Sequence, residues 1–279
     1  MSFTVEDVKS LREKTGAGMM ACKEALKACD GKIDEAVEYL RKKGIASAEK
    51  KTGRSTGDGL IEFAIAPDGL KAAMVEVNCE TDFVAKTDQF RQLTTEIANW
   101  ALGQDKETLA AGDLPAPLAE QMKQTIAKIG ENIQFKRGMK ITASSGVIEG
   151  YLHLGSKLGV LVEVAGSSSG AARELARELA LQVAAANPQV VSRDRVPAEM
   201  VEKEKDIYRE QVRGAGKPEN VVEKIVSGKL DKFYSEICLM EQPYIKDPQK
   251  SVEAVVKEAI VKLGENITVK GFARYRLGE

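Results

Sequence analysis

Apolar positions recur with a helical period through the first forty residues. Val8 and Leu11 mark the inward face of a first helix, which Thr4 can cap with Asp7 three residues on. Thr15-Gly16-Ala17-Gly18 breaks the pattern. Met20, Ala21, Ala25, Leu26 and Cys29 line a second helix, and this phase sets Met20 inward and Met19 at the surface. Asp30-Gly31 turns the chain, and Ile33, Ala36, Val37 and Leu40 mark a third helix. The pattern predicts a three-helix bundle over residues 1–45, small for independent stability and better suited to docking than to catalysis. A basic, glycine-bearing stretch at 46–58 then reads as a solvated linker.

Beyond the linker the period shortens and the chain repeats itself. Gly59-Leu60-Ile61-Glu62 returns as Gly146-Val147-Ile148-Glu149, and Val75-Glu76-Val77 returns as Val162-Glu163-Val164 at the same offset. Lys128-Ile129-Gly130-Glu131-Asn132-Ile133 returns as Lys262-Leu263-Gly264-Glu265-Asn266-Ile267. Each copy reads strand, turn, strand, helix, helix, strand. The turn is Pro67-Asp68-Gly69 in the first copy and lies around Gly155 in the second. The duplicated Glu-Asn pairs suit a fold role at the start of a strand. The expectation is a duplicated α+β core, with one half over 59–143 and the other over 144–279.

Gly59 to Gly130 spans 71 positions, whereas Gly146 to Gly264 spans 118, so roughly 47 residues are inserted in the second copy. Charged helical sequence at 199–213 is followed by Gly214-Ala215-Gly216-Lys217-Pro218. A second helix follows with Val222, Val226, Leu230, Phe233 and Ile237 on one side. Two helices joined by a Gly/Pro turn predict an antiparallel hairpin at about 188–240 with a narrow apolar seam, projecting from the body.

Composition narrows the function classes. Charged residues make up 30% of the chain and the net charge is −1, so no global field favours nucleic acid or acidic lipid. No apolar run approaches the ~20 residues of a membrane span, and the sequence begins without a signal-like apolar region. A cytoplasmic protein with reduced thiols is expected. Cys22, Cys29, Cys79 and Cys238 form no CxxC pair, and the single His153 gives them no zinc-site company. Neither a metal nor a cofactor is expected.

The local motifs point away from chemistry. Gly16-Ala17-Gly18-Met19-Met20-Ala21 matches a dinucleotide fingerprint, but a charged helix stands where a buried strand is needed. Pro218 replaces the Ser/Thr that a phosphate-cradling loop needs after Lys217. Gly166-Ser167-Ser168-Ser169-Gly170 lacks a base for a serine nucleophile. One segment stands out. A β-like run over 73–77 stops at polar residues, and Asp82-Phe83 follows just before helical sequence resumes. Phe83 either starts that helix and packs inward, or is presented at the junction to another protein's pocket.

Three ordered segments resemble the family of bacterial translation elongation factor Ts, the nucleotide-exchange factor for elongation factor Tu. They are the run from Val8 to Met20, the run from Glu76 to Lys86, and Tyr151-Leu152-His153 followed by Gly159-Val160-Leu161-Val162. The resemblance implies a non-enzymatic exchange factor with a ubiquitin-associated-type N-terminal bundle, a two-part core and a coiled-coil hairpin. It also implies that Thr81, Asp82, Phe83 and Val84 enter the partner GTPase beside its magnesium site. Met19 and Met20 would grip the same partner domain, and His153 would touch another. Some members add a C-terminal helical module after the position matching Arg276-Leu277-Gly278-Glu279, and its contacts are not expected here. Homodimerisation through the core or the hairpin is compatible with this plan. The alternative is an interaction scaffold with an inert core and no exchange activity.

Overall fold

A computed structural model describes residues 3–153, 155–213 and 219–279. The bundle comprises α1 (Val5–Thr15), α2 (Met19–Ala28) and α3 (Ile33–Glu49). Thr4 and Asp7 form a reciprocal capping box on α1, and Gly16 closes it in left-handed backbone at φ 67°. Val8, Leu11, Cys22, Ala25, Leu26 and Ala36 make the core of the bundle. Two expectations are corrected here. The inward stripe of α2 runs through Cys22, Ala25 and Leu26, which turns Met20 to solvent at 67% exposure. The stretch read as linker from residue 46 begins as helix, because α3 continues to Glu49 and buries Ala48 against the core beyond.

That core is two sheets back to back, each with helices on its outer face. The first half contains β1 (Asp58–Ile65), β2 (Lys71–Cys79), α4 (Asp82–Ala85), α5 (Asp88–Leu102), β3 (Thr108–Leu109), α6 (Ala116–Ile129) and β4 (Ile133–Thr142). Its strands lie antiparallel in the order β1-β2-β4-β3. The second half contains β5 (Val147–Leu152), β6 (Leu158–Ala165), α7 (Gly170–Ala186), α8 (Ala198–Arg213), α9 (Glu219–Ile237), β7 (Pro243–Tyr244), β8 (Asp247–Ser251), α10 (Val252–Leu263) and β9 (Thr268–Arg276). Here β5-β6-β9 form an antiparallel sheet and β7-β8 a small ribbon. This is the expected α+β class. The sequence pattern did not signal β3, β7 or β8, which are edge or ribbon strands too short for a period to show.

The duplication is visible in backbone detail. The β2–β4 register shifts at Glu76/Val77, and the β6–β9 register shifts at the matching Glu163/Val164. Gly130 and Gly264 end α6 and α10 in the same left-handed conformation. Central strands β2 and β6 read as nearly unbroken apolar runs because both of their faces are covered. Val75 and Val77 face α5 and α6, and Met74 faces the other sheet. Val160, Val162 and Val164 face α7 and α10, while Leu161 meets Met74's layer.

The sheets meet through Ile61, Ala72, Met74, Ala143, Ile148, Leu161 and Ala273. Two glycines set their separation. A methyl group at Gly150 would meet the Phe63 ring at 2.7 Å, and one at Gly159 would meet Ile61 Cγ2 at 2.6 Å and Met74 Sδ at 3.0 Å. Side chains there would push the halves apart.

Helices α8 and α9 pack along a seam of Val201, Tyr208, Val212, Val222, Val226, Leu230 and Phe233. Val201, early in α8, packs with Phe233 and Tyr234 late in α9, while Arg209, late in α8, pairs with Glu223 early in α9 at 3.0 Å, so the helices run in opposite directions. The break expected at 214–218 lies outside the described residues. At the base the two ends of the insertion are clasped. Gln189 N–H donates to Ile237 O at 2.8 Å, and Leu239 N–H donates to Val190 O at 2.9 Å. Arg193 grips Glu241 and Asp231 and stacks 4.4 Å from the Tyr234 ring centroid. These carboxylates raise the already high pKa of its guanidinium further.

Substituting Gly159→Ala is expected to destabilise the protein by about 1–3 kcal/mol through overpacking of the inter-sheet layer. Urea unfolding followed by circular dichroism measures this. An unchanged midpoint would mean that the layer is not closely packed.

Candidate partner-docking site

Helix α4 is a single turn set where β2 ends. Thr81 caps it, with Val84 N–H donating to its Oγ1 at 3.4 Å. Val84 and Ala85 are buried in the first core. The turn cannot extend, because Thr87 caps α5 immediately after. Its Oγ1 donates to Val84 O at 2.8 Å and accepts from Phe90 N–H at 3.3 Å. Val84 and Ala85 take the inward side of the turn, and Phe83 lies on the other side. It stands 78% exposed, so it does not pack inward. Its companion is Lys86, whose Nζ lies 5.9 Å from the ring centroid and 2.6 Å from Asp82 Oδ2. The Lys86 hydrogen bond holds the Asp82 carboxyl below its ordinary pKa, with a smaller contribution from Lys157.

The underside of α4 is pinned by the repeated Gly-Glu-Asn segment. Glu131 accepts from Thr81 N–H at 3.0 Å and from Thr81 Oγ1 at 2.8 Å. Glu80 Oε1 accepts from Asn132 N–H at 2.7 Å, and Asn132 Nδ2 donates to Arg54 O at 2.8 Å. The sequence marked Glu131-Asn132 as a fold element, but its tie to Thr81 required the topology that brings β4 beside β2.

Met19 and Met20 open α2 on the bundle, exposed by 43% and 67%. The bundle sits on the first core half, where Gly44 of α3 approaches Ala127 of α6 so closely that a methyl group would meet Ala127 Cβ at 2.9 Å. A cleft of about 470 Å³ lies at this junction, lined in part by Ala17, Leu40, Ile45 and Ala127. His153 lies exposed in the β5–β6 turn, its Nδ1 3.0 Å from Tyr151 Oη. That turn docks on β1, with Ile61 N–H donating to Ser156 O at 2.7 Å and Lys157 pairing with Asp58. The three residue groups thus sit on separate modules. The His153 turn reaches the α4 end of the first sheet through Lys157, and the methionines stay on the bundle.

Other motifs serve the fold. Gly16 and Gly18 end α1 and begin α2. Ser169 caps α7 and accepts from Ala172 N–H at 3.3 Å, and Ser167 Oγ lies 2.9 Å from its hydroxyl. Burial, then the carboxylates of Asp58 and Glu131, push the Cys79 thiol up to about 12, far from a nucleophile's range. Among the described residues no group of three or more His, Cys, Asp or Glu could hold a metal ion. Nor is any described helix long and apolar enough to cross a membrane.

Known proteins resemble this chain along its length. The family model described as "Elongation factor TS" matches residues 80–279, beginning one position before Thr81. Elongation factor Ts of Nostoc sp. is 47% identical over 285 aligned positions, covering 98% of this chain and 91% of the relative. The protein of the same name from Alkalilimnicola ehrlichii is 45% identical over 283 positions, with 100% and 93% covered. That of Trichlorobacter lovleyi is 41% identical over 291 positions, with 100% and 94% covered. With such identity from end to end, the chain belongs to the elongation factor Ts family.

Proposed function

We infer that this member of a translation elongation family is a guanine-nucleotide exchange factor that binds elongation factor Tu and promotes GDP release and GTP loading. The observation that carries this is Phe83, a large apolar ring held almost fully in solvent on a turn capped at both ends. A ring so exposed and so firmly mounted suits insertion into another protein's pocket. The partner-facing segment is Thr81-Asp82-Phe83-Val84. Met19 and Met20 on a ubiquitin-associated-type bundle make a second contact with the same partner domain. His153, on the second half of the core, makes a third with another domain. The modules are the bundle at 1–45, core halves at 59–143 and 144–279, and a coiled-coil hairpin inserted at about 188–240.

The energetics require several contacts. A factor that ejects nucleotide must bind the empty GTPase more tightly than the loaded one, and the coupling is reciprocal. Taking an equilibrium from mostly loaded to mostly empty needs about 5.5 kcal/mol of differential affinity. Burying Phe83 contributes about 1.5–3 kcal/mol, so the bundle and the second core half must supply the rest. Mg²⁺ demands near-octahedral geometry. A small displacement of the helices that hold its ligands loosens the ion and then the diphosphate. Phe83 displaces packed side chains while Asp82 takes hydrogen bonds there. No covalent bond is made or broken, and the factor is not an enzyme.

Phe83→Ala is expected to slow release of a fluorescent GDP analogue from elongation factor Tu far more than it weakens binding, measured by stopped flow and by titration of the nucleotide-free GTPase. Wild-type release would rule out the insertion of Phe83, and no acceleration even by the unaltered protein would leave a scaffold. A second measurement concerns Cys79. With its thiol neutral and buried, the folded protein is expected to resist iodoacetamide at this position at pH 8, read by peptide mass analysis. Rapid alkylation would mean that the thiol is neither buried nor held neutral.

A further inference from the structure

The one-turn helix that carries Phe83 is too short to hold its own direction. Four residues lie far below the length at which an isolated helix persists, so the aim of the ring is set by whatever grips α4. Val84 and Ala85 press into the core and fix its depth. Burial of two small side chains leaves its rotation open, and the two hydrogen bonds to Glu131 close it.

The second of these does more than tether. A threonine hydroxyl has one proton and two lone pairs. Glu131 Oε1 takes the proton at 2.8 Å, so the lone pairs of Oγ1 remain to accept from Val84 N–H. The carboxylate thus fixes the hydroxyl as a helix cap as well as its position. Glu131 is itself anchored. Gly130 ends α6 just before it, and buried Asn132 just after it donates to the carbonyls of Thr52 and Arg54. Those carbonyls belong to the segment leaving α3, and α6 packs on α3. The pin stands where the bundle, α6 and the start of β4 meet.

We propose that Glu131 is a positioning residue for nucleotide exchange, whose carboxylate locks Thr81 so that Phe83 is offered to the GTPase in one direction. Glu131 acts through Thr81 and Phe83 and touches no reacting group. The inference rests on the exchange role assigned above.

The duplication supplies an internal control. Glu265, the matching carboxylate, lies 3.4 Å from Ser169 Oγ, which caps α7. There the capped element is a 17-residue helix, and Ala171 occupies the position corresponding to Phe83. The same bond therefore serves a helix that presents no aromatic ring.

The test is stopped-flow release of a fluorescent GDP analogue from elongation factor Tu, with the release rate measured against concentration of the full chain. Glu131→Ala is expected to lower the maximal rate about tenfold while changing the half-saturating concentration less than about threefold. Glu131→Gln keeps one acceptor and should recover part of the loss. The double variant Glu131→Ala/Phe83→Ala should be no slower than Phe83→Ala alone, since both changes act through one ring. Glu265→Ala should release nucleotide at the wild-type maximal rate even where it melts earlier. Thr81→Val, which removes the hydroxyl at nearly constant shape, should follow Glu131→Ala and serves if that variant does not fold. A wild-type maximal rate for Glu131→Ala, or losses that multiply in the double variant, would overturn the assignment. If Phe83→Ala alone released nucleotide normally, the exchange role of the segment would fall, and the role of Glu131 with it.

Discussion

The rest of the fold depends on how closely two sheets approach each other. Phe63 lies over Gly150 and Ile61 over Gly159, with contacts that leave no room for a methyl group. Because the sheets touch there, each must place its helices on the opposite face. Strands β2 and β6 are then covered on both sides, which explains their unbroken apolar character and the absence of a two-residue alternation. The same approach brings the β5–β6 turn against β1, with Lys157 on Asp58 and on Gly59 O at 2.7 Å. The open end of β2, where α4 begins, is therefore bordered by both halves of the core.

Duplication gave the two halves one device and divergence gave it two uses. In both copies a left-handed glycine ends a helix and the next residue's carboxylate meets a hydroxyl that caps another. In the second copy the capped helix runs on through Ala172, Leu175, Ala176 and Leu179 into the core. In the first, Thr87 interrupts it after one turn and restarts it as α5. The second residue of each capped element faces solvent, Phe83 in the first copy and Ala171 in the second, while the third, Val84 or Ala172, is buried.

Much of this was legible in the sequence because repeats and helical periods are local. The capping box of Thr4 and Asp7, the matching Gly-Glu-Asn-Ile segments and the seam of Val222, Val226 and Leu230 all declare themselves without a fold. What stayed hidden depends on contacts between distant segments. The sequence pattern sets Met20 inward on α2 where the structure sets Cys22, because ten residues with several alanines fix a helical phase poorly. The stretch after Lys42 looks like a charged tether. It stays helical to Glu49 because Gly44 and Ala48 find α6 and the core to pack on. Phe83 could be read both ways, and only the phase of α4, which turns Val84 and Ala85 inward, sets it toward solvent. The tie from Glu131 to Thr81 spans fifty positions, and no pattern along the chain announces it.

The clasp at the foot of the inserted helices has a consequence for how such chains diverge. Val190 and Leu239 join the outgoing and returning segments within one ladder of hydrogen bonds. The buried amides of Gln182 and Gln242 bond to each other at 3.2 Å, close behind that ladder. To the globular body, everything beyond this point is a loop whose ends are already closed. Its length can grow or shrink by whole helical turns at little cost in chain entropy, and the sheets would not register the change.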